Sequence, residues 1–174
     1  MEEFDVSNII LGNLVYDHEI KNWISKISYI QLDNCLMLQV PLVQLKRLVL
    51  ETSNNYNRIK MYTAMTNPNE NFIKIVSNIE NHICKKIQKM KCFESYNIKA
   101  MFQSFSNENK IYKFFIPIYE NSIDILITDK DEKKISIKNL EKNCLISCIV
   151  YLSHVEIEQN KFYLNWNIIQ IKLE

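Results

Sequence analysis

The chain has 174 residues, 47% of them hydrophobic and 24% charged, which suits one folded domain over residues 1–174 with a substantial core. A formal net charge of +1 excludes an argument for a polyanion ligand from bulk charge, so such a site has to come from local clustering of Lys and Arg. No apolar run reaches the roughly 18 residues of a membrane-spanning helix, and the acidic start (Glu2, Glu3, Asp5) is unlike a signal peptide; a cytoplasmic protein with no membrane partner is expected.

In chain order, residues 4–16 are apolar with a break at Gly12 and Asn13. Residues 23–32 and 35–42 read as strands around Asp33 and Asn34, two residue types that tolerate positive φ and suit a tight hairpin. Residues 46–50 and 58–65 read as two more strands, separated by a polar loop over 51–57. Asn67, Pro68 and Asn69 then offer helix-start residues, with Glu70 in the first turn. Phe72, Val76, Ile79, Ile83, Ile87 and Met90 recur every three or four residues, which predicts an amphipathic helix over about 70–91. Lys85, Lys86, Lys89 and Lys91 crowd its end, where the helix dipole favours cations.

The second half returns to strands, over 99–105, 110–119 and 122–128. A charged turn at 129–132 follows, with 134–138 pairing back; Asp129 and Asp131 suit a solvated turn better than a metal pair. Residues 144–157 and 161–173 flank a polar turn and predict a long antiparallel hairpin. In its last strand the apolar set runs Phe162, Leu164, Trp166, Ile168 and then jumps to Ile169, Ile171 and Leu173. A one-residue jump swaps faces unless a β-bulge absorbs it, and bulged, curved strands are what small barrels use to close. The fold class expected is mainly β (α+β), an OB-like antiparallel β-barrel with one central helix and a long C-terminal β-hairpin.

Catalytic patterns are absent from the sequence. The only glycine, Gly12, cannot build a phosphate loop. His18, His82 and His154 form no HExxH, and Cys35, Cys84, Cys92, Cys144 and Cys148 contain no CxxC pair. Buried thiols in a reducing compartment are expected, with no enzyme activity, metal or cofactor. Ile, Asn and Lys supply 67 residues against one Gly and two Arg, a bias that AT-rich codons produce, as in a large DNA virus, a virus-like element, a protist or some bacteria.

Single-strand binders combine Lys and Arg with aromatic rings on which bases stack. In the strand over 58–65, Arg58, Lys60 and Tyr62 alternate onto one face while Ile59 and Met61 take the other; Tyr56 precedes them, and Lys46 and Arg47 lie on the expected partner strand. Lys99 and Phe102, with Lys113 on the following strand, form a second basic and aromatic candidate.

The run over 144–153 (CLISCIVYLS), the polar turn and the run over 162–172 (FYLNWNIIQIK), with the helix over 72–90, resemble the poxvirus-type single-stranded-DNA-binding proteins and their counterparts in cytoplasmic linear plasmids of yeast. The resemblance spans residues 59–173 and is one of pattern rather than of an exact motif. It departs in having no acidic tail after Leu173 and a nearly neutral charge. It implies an OB-type barrel that binds single strands of DNA, or of RNA, without sequence preference during DNA replication, with replication proteins or further copies of itself as partners. The alternative is a structural or scaffold protein, such as a virion component or an accessory subunit of an enzyme, with no nucleic-acid ligand.

Overall fold

The computed structural model describes residues 6–17, 22–29, 36–53, 56–67, 69–104, 111–120, 122–158 and 161–174. The expected turns at Asp33 and Asn34 and at 159–160, together with His18, Cys35, Pro68 and Lys110, lie outside the described residues. The strands are β1 (Ile9–Asp17), β2 (Asn22–Tyr29), β3 (Leu36–Ser53), β4 (Tyr56–Met65), β5 (Phe102–Gln103), β6 (Ile111–Tyr119), β7 (Ser122–Ile123), β8 (Leu126–Thr128), β9 (Leu145–Glu158) and β10 (Lys161–Leu173). Between β4 and β5 lie the long helix α1 (Glu70–Gln88) and the single turn α2 (Ile98–Met101). The fold is therefore mainly β with one long helix. Among the described residues, no helix is long and apolar enough to cross a membrane.

The α1 helix forms where the apolar stripe predicts it. The Asn69 side chain accepts from the Phe72 N–H at 2.9 Å, which satisfies one of the free donors of the first turn. Phe72, Val76, Ile79, Ile83 and Ile87 are all buried. The helix ends at Gln88, short of the expected 91; Lys89 caps it, and Lys91–Phe93 form a separate 3-10 turn.

Other expectations need correction. The two strands expected over 35–42 and 46–50 fall, from Leu36 on, in one 18-residue strand, β3. Register shifts between Val40 and Val43 and between Leu45 and Arg47 absorb its bends, the first around Pro41, which has no N–H for a ladder. The polar run over 51–57 is mostly strand, because Glu51 pairs with Arg58, Thr52 with Asn57 and Ser53 with Tyr56. Residues 99–105 do not form a full strand. The Asn97 side chain accepts from the Ala100 N–H, Ile98 is buried, and one helical turn precedes the two residues of β5. Lys134 makes only an isolated bridge to Thr128, and Ile137–Asn139 is a 3-10 turn closed by a Ser136 and Asn139 capping box. The Asp129 carboxylate accepts from the Asp131 and Lys133 N–H groups, so it shapes the charged turn.

The hydrogen-bonded strand order is β1-β2-β9-β3-β4-β6-β10-β5. In addition β9 pairs with β10, antiparallel, from Lys161↔Glu158 to Leu173↔Ile146. The pairings β9–β3–β4–β6–β10–β9 thus form a circuit, in which β6–β10 is parallel and the rest antiparallel. One face of these strands is apolar. Phe162, Leu164, Trp166 and Ile168 of β10 are buried, as is Asn165 between them; the register shifts between Asn165 and Trp166, Ile171 is buried again further on, and a second shift falls between Ile168 and Gln170. The bulge inferred from the apolar jump lies there. Met61 and Phe114, Val150 and Leu152, and the α1 stripe share the same core, with the Phe72 ring edge-on to Tyr112 at 6.4 Å.

Candidate functional site

Cross-strand partners project to the same face, so the ladder of β3, β4 and β6 can be read as rungs. One rung is Arg47, Tyr62 and Lys113; the next is Val49, Lys60 and Phe115; the third is Glu51, Arg58 and Pro117. Met61, Thr63, Phe114 and Ile116 alternate onto the opposite face and are fully buried. Five of the nine expected site residues therefore share one sheet face: Arg47, Arg58, Lys60, Tyr62 and Lys113.

Their surroundings divide this face in two. Arg58 is only 6% exposed. Its Nε meets Glu51 Oε2 at 2.6 Å, its Nη1 meets Glu156 Oε2 on β9 at 3.2 Å, and its guanidinium lies 4.2 Å from the Phe115 ring centre. Lys60 Nζ meets the other Glu51 oxygen at 2.6 Å. The Asn165 side chain on β10 donates to Glu156 Oε2 at 3.3 Å. This cluster draws on all five strands of the circuit. Two cations face two carboxylates, so it is neutral as a unit and exerts little pull on a polyanion. Burial alone would raise the Glu51 carboxyl, but hydrogen bonds from Lys60 and Arg58 outweigh it and hold the group below its ordinary value.

The first rung is different. Arg47 is exposed, with its guanidinium 4.2 Å from the Tyr62 ring centre. Lys113 is half-buried, its Nζ 4.9 Å from the Tyr163 ring and 5.1 Å from the Phe115 ring. Among the described residues neither cation has a carboxylate within ion-pair distance. Burial disfavours the Lys113 ammonium, the nearby Lys60 and Arg58 charges add to this, and its pKa lies below the ordinary lysine value; Glu156 and Glu51 oppose the shift. Beside Lys113 a cleft of about 250 Å³ opens, lined by Tyr62, Gln103, Ser104, Ile111, Lys113, Tyr163 and Leu164. A larger cleft of about 460 Å³ lies at the start of α1, but among the described residues lining it Glu70 alone is charged. The smaller one holds the cation and the aromatic rings, and so carries the recognisable chemistry.

The remaining expected residues lie elsewhere. Lys46 sits at the β3 irregularity, with its ammonium against Gln44 Oε1. Tyr56 starts β4 and Phe102 starts β5, and their side chains lie outside the described residues. Lys99 is on α2, beside Cys84 and Lys85 in a separate cleft. Burial pushes the Cys84 thiol up to about 11 and the Cys148 thiol up to about 12, so neither ionises near neutral pH.

Sequence reading missed Glu51, Phe115, Glu156, Tyr163 and Asn165. Alternation does assign Tyr163 and Asn165 to the face opposite Phe162 and Leu164. Nothing local shows that this face meets Arg58, more than 100 residues earlier in the chain. In comparisons with known proteins, no family model matches this sequence and no curated protein matches it.

Proposed function

We propose that the protein binds single-stranded DNA without sequence preference, through the face formed by β3, β4 and β6, in the replication of an AT-rich virus or virus-like element. The observation that carries this reading is the rung Arg47–Tyr62–Lys113, where two cations with no carboxylate partner among the described residues flank an aromatic ring. Cations of this kind neutralise phosphates, and rings such as Tyr62 and Tyr163 stack bases at about 1–3 kcal/mol each. The five-strand pairing circuit supports an OB-type barrel with a C-terminal hairpin made by β9 and β10; in such barrels the second and third strands, here β4 and β6, carry the oligonucleotide face. The resemblance of the helix and of the last two strands to poxvirus-type single-strand binders points the same way.

Fluorescence anisotropy with labelled oligo-dT of about 30 nucleotides, longer than the roughly 4–16 that one such fold covers, tests the proposal. Tight binding that weakens with salt, beside weak binding to a duplex of equal length, is expected. No binding at micromolar protein and low salt overturns it.

A scaffold role is the second reading, favoured by one feature. The terminal strand β1 exposes Ile10 (45%), Val15 (57%) and Tyr16 (37%). The open side of an edge strand that carries apolar side chains is a template for pairing with another chain. Light scattering that shows a concentration-dependent dimer, abolished by Val15→Lys, supports that role.

A further inference from the structure

We infer that the cleft between β6 and β10 is a subsite for one nucleotide, with its phosphate on Lys113 and its base against Tyr62 and Tyr163; as a part of a strand-binding face, this rests on the single-strand reading. The cleft arises from a break in the ladder. Among the described residues β6 and β10 pair at one position, Asn167↔Phe115. Nearer the start of β10 its partner is β5, through Phe162↔Phe102 and Tyr163↔Gln103. Where β6 and β10 part, Lys113 of β6 and Tyr163 and Leu164 of β10 line the gap. At about 250 Å³ it falls below the usual 300–1,000 Å³ of sites for drug-sized ligands, which suits one small unit rather than a large cofactor.

The lining matches a nucleotide group by group. Lys113 supplies the positive charge, and Glu51 and Glu156 on the same face are already engaged by Arg58. Because burial and the neighbouring Lys60 and Arg58 charges outweigh Glu156 and Glu51 at this ammonium, an arriving phosphate adds the counter-charge that favours it. The exposed Gln103 amide also lines the cleft and offers a donor and an acceptor for the edge of a base. Ser104 donates to Glu80 at 3.0 Å, so its hydroxyl presents only lone pairs to the cleft.

The test uses the full chain and oligo-dT of about 30 nucleotides carrying one 5-iodouracil, irradiated in the bound state and read by peptide mass, with dTMP titrated calorimetrically in parallel. A cross-link to Tyr62 or Tyr163, and a loss of about tenfold in affinity in each of Lys113→Met and Tyr163→Leu, are expected, one stacked base being worth about 1–3 kcal/mol. If oligo-dT binds but cross-links to neither tyrosine and both variants bind like the wild type, the subsite is overturned and the single-strand reading stands. If dTMP binds and Lys113→Met abolishes it while oligo-dT does not bind, the nucleotide subsite stands and the single-strand reading falls. If neither ligand binds, both fall.

Discussion

Arg58 and Lys113 sit two rungs apart on one sheet face with the same charge, but their environments differ. The Arg58 and Glu156 side chains are 8% and 6% exposed, so removing either leaves the other as a buried charge. Glu156→Leu is expected to cost about 3 kcal/mol, the low end of the 3–5 typical for breaking a buried pair, because Arg58 keeps Glu51. Urea denaturation with an unchanged m-value measures this. Lys113 acts in the opposite sense. Its folded pKa is lowered, so between that value and the ordinary lysine value the unfolded chain holds more protons, and stability rises with pH across that interval. Lys113→Met is expected to remove this slope, as urea midpoints at pH 8 and above will show. Glu51 titrates the other way. Its folded pKa lies below 4.5, so its contribution is present above that pH and is lost as the pH falls through the folded value.

At the scale of elements, α1 was legible because its apolar spacing repeats through the whole helix and Asn69 marks its start. Ile79 is fully buried on that stripe, and Ile79→Ala is expected to cost about 2–5 kcal/mol through the cavity it leaves. Asn69→Ala removes the cap and is expected to cost about 1 kcal/mol. Both are checked by urea denaturation, with the exposed Asn78→Ala as a control expected to stay within about 0.5 kcal/mol. The bulge in β10 was legible too, since a jump from Ile168 to Ile169 in an alternating strand has to be absorbed somewhere. The length of β3 was not. Gln44, Pro41 and the polar run after Leu50 look like interruptions locally, but cross-strand pairs such as Glu51↔Arg58 carry the strand through. Residues 98–101 went to a helical turn because Asn97 caps it and Ile98 has a place in the core.

For the whole molecule, the question is which cations can receive phosphate. Five expected site residues reach one face, but only Arg47 and Lys113 do so without carboxylate partners among the described residues. If a single strand lies along the first rung, each phosphate contact contributes about 0.7 to the salt slope of binding. Arg47→Ala with Lys113→Ala is then expected to lower that slope by about 1.4, measured by oligo-dT anisotropy over a salt series. Arg58→Ala is expected to leave the slope unchanged and to lower thermal stability instead, because its charge is already neutralised inside the fold.

The sequence by itself determined the class of the fold, the helix and its cap, the buried face of β10 and the common face of Arg58, Lys60 and Tyr62. These follow from periods of 3.6 and 2, which only require neighbours along the chain. The tertiary structure alone decided which cations of that face meet carboxylates, Arg58 and Lys60, and which, Arg47 and Lys113, meet none among the described residues. Glu156 reaches Arg58, and Asn165 reaches Glu156, only because β9, β10 and β4 belong to one circuit of paired strands, and the Lys113 cleft lies where β6 and β10 part beyond the pair Asn167↔Phe115. Charge compensation and cavities depend on which residues meet across the fold, and a one-dimensional pattern holds no record of that distance.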